Sequence, residues 1–256
     1  MREIERAVER AIGVIREKYG AQIGVDDMAR AANYSRFHFT RLFYQVTGLT
    51  PRRFLVAVRL HKAKQLLTST SLPITDICHL VGYTSVGTFG SLFACSVGLP
   101  PTTYRRLGGF WPWISRGSGE GAWGGPSTVI RGAISPAADR AAPVFVGLFA
   151  HRIPCGRPVS CAVLDRPGPY VLDDVPEGTW HLLACAEGPD GDARCSAPYD
   201  IEALLVGSAG PVRVRGGIVR LAAVRLRPMG MFDPPVVPVL PGMRPPLPAA
   251  RARSVA

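Results

Sequence analysis

The sequence predicts a multidomain chain, α then β: an all-α tandem helix-turn-helix unit followed by an all-β sandwich. Three observations carry this expectation. A pattern of apolar and turn residues between Val25 and Phe54 recurs 49 to 50 residues later. Beyond residue 126 the hydrophobic period changes from helical to strand-like, in short runs separated by Pro, Gly and Asp. Charge is also uneven, with 15 Lys and Arg against 7 Asp and Glu in residues 1–107, and 15 against 12 in the remainder. A polyanion-binding surface is therefore expected in the N-terminal part. The 256 residues suit two modest domains, at ~100 to 150 residues each.

In chain order, residues 2–19 place Ile4, Ala7, Val8, Ala11, Ile12 and Ile15 at helical spacing among charged residues, which predicts an amphipathic supporting helix. Next, Val25, Met28, Ala29 and Ala32 share one face of a short helix that Gly24 or Asp26 can cap. Asn33 and Tyr34 make a turn. Ser35 is the expected N-cap of a second helix, whose buried stripe is Phe39, Leu42 and Phe43. Its opposite face carries Arg36, Phe37, His38, Thr40 and Arg41. An apolar back with such a front equips a helix to read base edges in a major groove.

One such pair is a weak signal, because many amphipathic helix pairs imitate it. Here Val25, Met28, Ala29 and Tyr34 are repeated as Ile74, Ile77, Cys78 and Tyr83. Ser35, Phe39, Leu42, Phe43, Gly48, Leu49, Pro51 and Phe54 are repeated as Ser85, Phe89, Leu92, Phe93, Gly98, Leu99, Pro101 and Tyr104. With the closing run FGSLFACSVGLPPTTYRR, residues 5–107 resemble the AraC/XylS family of bacterial transcription regulators. The resemblance implies sequence-specific binding to promoter or operator DNA, regulation of transcription with RNA polymerase as a candidate partner, and no enzymatic activity. It also implies base contacts from Arg36, Phe37, His38, Thr40 and Arg41 in the first copy, and from Gly87, Thr88 and Ser91 in the second. Ser91 stands at the position of Arg41, and the second front carries no charge. The second copy is therefore expected to approach the backbone, through Thr84 and Ser85.

Between the copies, Pro51 to Ser69 reads as a connecting helix with Val56, Leu60, Ala63 and Leu67 as its buried seam. A rigid connector lets two reading helices enter successive major grooves, about 34 Å apart in B-DNA. Arg52 and Arg53 join Ser35, Thr84 and Ser85 as expected phosphate contacts.

Residues 108–126, rich in Gly, Ser and Trp, are the expected linker, with Trp111, Trp113 and Trp123 docking on a neighbour. Residues 127–228 hold the strand-like runs. The segments VIRGAISP, PVFVGLF and GPYVLDDVPEGTWHLLACAE resemble the transthyretin-like or carboxypeptidase-regulatory sandwich, which implies an accessory domain that could take a small-molecule effector or a protein partner. Residues 229–256 are a Pro-rich, partly extended tail ending in disorder.

Six cysteines without a C-x-x-C pair read as reduced thiols, and the spacing of His and Cys in the second half fits no common zinc pattern, so neither metal nor cofactor is expected. Ile153-Pro154-Cys155-Gly156-Arg157 resembles the Pro-Cys-His-Arg site of DNA alkyltransferases, with Gly156 in place of the His that would generate the thiolate. An alkyltransferase using Cys155 and a sequence-tolerant nucleoid binder are the alternative functions. The absence of a long apolar run and the charged start imply a cytoplasmic, nucleoid-associated protein without membrane contact.

Overall fold

The computed structural model describes residues 2–110, 128–136, 142–187, 204–221 and 223–238. Seven helices come first: α1 Arg2–Lys18, α2 Val25–Ala32, α3 Arg36–Thr47, α4 Pro51–Ser69, α5 Ile74–Leu80, α6 Val86–Val97 and α7 Pro101–Arg106. Among the described residues nine strands follow: β1 Thr128–Ser135, β2 Val144–Phe149, β3 Cys161–Leu164, β4 Pro169–Val175, β5 Gly178–Glu187, β6 Leu204–Val214, β7 Ile218–Arg220, β8 Val224–Arg225 and β9 Arg227–Pro228.

The internal repeat is also a repeat in packing. Phe39, Phe43 and Phe54 form an edge-to-face ladder with centroids 5.5 Å apart, and Phe89, Phe93 and Tyr104 form its counterpart at 5.7 and 5.6 Å. All six are buried. Each ladder belongs to its own core, one built on α1 to α4 and the other on α4 to α7, so α4, buried on more than one face, supplies both. The left-handed Asn33 (φ 61°) and Gly82 (φ 86°) close equivalent turns, after which Tyr34 N–H donates to Ala29 and Tyr83 N–H to Cys78, each at 3.0 Å.

Arg59 of α4 spans the two cores, donating to the Tyr19 and Ala21 carbonyls at 2.8 Å while lying over the Tyr83 ring. A Cβ at Gly82 would come within 2.7 Å of its guanidinium and 2.9 Å of the Tyr19 carbonyl oxygen. Gly82→Ala should therefore cost about 1–3 kcal/mol, from a crowded Cβ on a left-handed backbone. Urea unfolding checks this, and unchanged stability would mean that the turn relaxes freely.

The strands form two sheets. Antiparallel β3-β2-β5-β6-β9 is one; the other is β4-β1-β7, with β8 pairing the far end of β1. Ile130, Ile134, Tyr170 and Leu172 of the second sheet share a buried cluster with Val144, Val146, Leu148, Leu182 and Ala184 of the first. The alternate residues Phe145, Phe149, Leu183 and Cys185 point the other way into a cluster with Val206 and Met229. Both faces of β2 are thus covered, which explains its unbroken apolar run. Residues 217–228 hold the three short strands β7, β8 and β9, and the long β6 before them begins at Leu204. Asp173 and Asp174 lie inside β4, where Asp174 takes a φ of 55°. The turn into β5 is closed by Trp180 Nε1, which donates to the Pro176 carbonyl at 2.9 Å.

The Pro-rich segment after β9 runs between the halves. Phe232 packs on the first helical core, Val237 is buried in the second, and Val236 lies on the apolar face holding Cys185. Lys64 of α4, 1% exposed, donates from Nζ to the carbonyls of Val236, Val237 and Pro238 at 3.2, 3.0 and 3.4 Å. Burial pushes its ammonium pKa down to about 7, opposed by the neighbouring Cys185. The expected docking of Trp111, Trp113 and Trp123 and the expected disorder after residue 238 lie outside the described residues.

Candidate nucleic-acid interface

The first helix pair is set by polar bonds at its ends. Gly24 N–H and Arg30 donate to the Asp27 carboxylate at 2.8 Å, and these bonds hold its pKa below the usual range, the Gly24 bond contributing most. Asp27, three residues into the helix, thus does the capping expected of Asp26. At the other end Arg10 of α1 donates to Ala31 and Ala32 carbonyls at 3.1 and 3.2 Å, giving the supporting helix a second task as a C-cap.

The buried stripe Phe39, Leu42 and Phe43 turns the front of α3 outward. Arg36, Phe37, His38 and Arg41 are exposed, Phe37 to 84%. Keeping a phenylalanine in water stabilises nothing in the isolated chain. Arg36 meets Asp26 at 3.6 Å with both side chains largely in solvent, a pair worth little to the fold. The His38 ring stands edge-on to Tyr34 at 5.0 Å. Thr40 is half-buried, and its hydroxyl donates to the Arg36 carbonyl at 2.8 Å. Its proton is therefore committed to its own helix, leaving the methyl and the oxygen lone pairs for contact.

In the second copy Thr84, Ser85, Gly87, Thr88 and Ser91 are all exposed. Ser85 is a working N-cap, accepting from Thr88 N–H at 3.3 Å, and the two hydroxyls also meet at 3.3 Å. Ser35 occupies the equivalent position without a side-chain cap bond, which corrects the capping role expected of it. The two starts differ because residue 84 adds one residue to the second turn and sets Ser85 at φ −124°, against −64° for Ser35.

Arg52 and Arg53 are exposed in the first turn of α4, whose N-cap Thr50 accepts from Arg53 N–H at 3.4 Å. Cations at a helix N-terminus oppose the macrodipole, so helix stability does not account for them. Tyr44, 54% exposed one heptad beyond Phe37, extends the same front and was missed from sequence. Its spacing from Phe37 was the available signal.

The β2–β3 loop reaches the opposite ends of both front-bearing helices. The Arg152 guanidinium carbon lies 3.2 Å from where a Cβ on Gly48 would stand, at the C-cap of α3. At the end of α6, Cys155 Sγ donates to the Cys95 carbonyl at 3.7 Å, Gly156 N–H to Ser96 at 2.8 Å and Arg157 Nε to Gly98 at 3.3 Å. The Cys155 thiol pKa is raised, chiefly by burial of its sulfur. That is the reverse of the activation an alkyl-accepting thiolate requires.

Residues 28–107 match the family model described as "Helix-turn-helix domain". The lactose operon transcription activator of Staphylococcus xylosus is 31% identical over 103 residues, 40% of this chain and 37% of that protein. The melibiose operon regulatory protein of Escherichia coli K12 is 30% identical over 100 residues, 39% of this chain and 33% of that protein. The chain thus spans little more than a third of the length of these relatives. A solved structure, the C-terminal domain of AraT, a response regulator from Geobacillus stearothermophilus, is similar at 29% identity and a TM-score of 0.39, covering 46% of this chain and 94% of that one. Residues 28–107 form a helix-turn-helix domain.

Proposed function

We propose that this chain is a sequence-specific, DNA-binding regulator of transcription and not an enzyme. In this reading Arg36, Phe37, His38, Thr40 and Arg41 of α3 read bases. Gly87, Thr88 and Ser91 approach base edges more weakly, and Ser35, Thr84, Ser85, Arg52 and Arg53 face phosphates. The observation that carries it is the front of α3, where Arg and Phe side chains stand in solvent on a helix fixed from behind by an aromatic ladder. Residues 1–107 are the reading unit and 108–126 the linker. Residues 127–228 form a sandwich of transthyretin-like type offered to an effector or protein partner, and RNA polymerase is the partner at the promoter. Selection of bound sites from random duplex DNA, with footprinting at moderate salt, tests the reading. One enriched motif is expected; uniform protection with no motif would make the chain a sequence-tolerant binder.

The second copy has its own test. Ser91 is exposed, and the buried back of α6 is supplied by Phe89 and Phe93, so Ser91→Arg should fold normally. If α6 already lies against the duplex, affinity should rise. A new phosphate contact would steepen the log–log salt dependence by about 0.9, whereas a guanine contact would lengthen the selected site. A folded variant with neither change would leave α6 off the DNA.

A further inference from the structure

Cys95 in the last turn of α6 and Cys155 in the β2–β3 loop are 60 residues apart in sequence, and both are exposed. Neither has a role in the reading above. The Cys155 sulfur lies 3.7 Å from the carbonyl oxygen of Cys95 itself. The following residue clamps the same place, Gly156 N–H donating to Ser96 at 2.8 Å, and a Cβ on Gly156 would come within 2.9 Å of the Cys95 oxygen. Arg157 bonds Gly98 just beyond, so three consecutive residues are registered against the end of α6. The Cys95 side chain acts on the protonation of the Cys155 thiol, as does the nearby Arg53. Two exposed cysteines, the sulfur of one in contact with the backbone of the other and flanked by backbone bonds, are neighbours of the kind a disulfide joins.

We propose that Cys95 and Cys155 are a redox-sensitive pair that closes into a disulfide with a peroxide as oxidant, tying the second front-bearing helix to the β half. In the proposed step Cys95 takes the oxidant and Cys155 resolves it. The Cys95 thiolate attacks one peroxide oxygen and the O–O bond breaks, giving a sulfenic acid and, with hydrogen peroxide, one water. The Cys155 sulfur then displaces the sulfenic oxygen, the S–S bond forms and a second water leaves with the thiol proton. Two thiols are oxidised by two electrons in all, and one peroxide is reduced. The same loop places Arg152 at the C-cap of α3, so the bond would fix α6 against a loop that also touches α3. This consequence for DNA rests on the proposed reading; the bond itself does not.

The test uses the full chain, oxidised with hydrogen peroxide, alkylated, digested without reductant and mapped by mass spectrometry. A Cys95–Cys155 cross-linked peptide that disappears with dithiothreitol is expected as the main product. Recovery of both residues alkylated or singly oxidised, a cross-link of either to Cys161, or a disulfide-linked dimer overturns the proposal. Cys95→Ser and Cys155→Ser are surface changes, and each should leave the surviving thiol of the pair unbridged after the same treatment. For the coupling to reading, the oxidised chain should discriminate several-fold more sharply between sites whose half-site spacing differs by one base pair. Equal discrimination in both redox states overturns that coupling. Absence of DNA binding in either state overturns instead the reading on which it rests.

Discussion

Arg41→Ala should weaken binding to the selected site by about 1–3 kcal/mol and relax preference at one base pair, as expected for the loss of a bidentate base contact. The residue is exposed on α3. The back of that helix is secured by Phe39, Leu42 and Phe43, so the urea midpoint should stay where it is. Affinities on the selected site, on single-base variants of it and on random duplex, measured at one salt concentration, separate the outcomes. Equal loss on every duplex, with unchanged base preference, would make Arg41 a phosphate contact. No loss at all would remove it from the interface.

Lys64→Ala should have the largest effect on stability. Its Nζ is the shared donor of three carbonyls in the segment after β9. Truncation leaves a cavity and carbonyls without their donor, a combined cost of about 2–4 kcal/mol. Calorimetry should show the helical half melting earlier, because the strap touches both helical cores. Unchanged melting would mean that water replaces the ammonium freely.

The pH dependence of this site has a definite sign. Burial lowers the folded-state pKa of Lys64 to about 7, while the unfolded chain keeps the ordinary value near ~10.4. Between the two the unfolded state binds the extra proton, so stability rises with pH across that window and is lowest on its acid side. Lys64→Met removes the group while keeping its length, so the variant should lose that slope and the difference in stability between wild type and variant should carry it. A difference that stays flat from neutral to alkaline pH would show the ammonium charged throughout in the native state.

The sequence by itself determined what is periodic and local. Apolar spacing and the repeat placed the helices from α1 to α6, and the 49-to-50-residue offset set Phe39 with Phe89 and Phe54 with Tyr104 at equivalent points of two cores. The same periodicity put Arg36, Phe37, His38 and Arg41 on the outward face, because the position of a side chain around a helix follows from spacing alone. Hydroxyl geometry was not legible in this way: Thr40 bonds its own backbone, and Ser85 caps where Ser35 does not. A single added residue in a turn rotates the backbone at the N-cap, and residue type does not encode that rotation.

Only the tertiary structure decided how the halves meet. Nothing in the spacing of Lys64 and Val237 says that an ammonium from a helix will be buried against the Pro-rich segment. Nor does it say that Arg152, Cys155 and Arg157 of one loop will reach the ends of α3 and α6. The physical reason is that unpaired carbonyls at helix ends and along a Pro-rich segment must find donors, and the sequence does not say which. Donors from any distance in the chain serve equally well, so packing alone chooses among them.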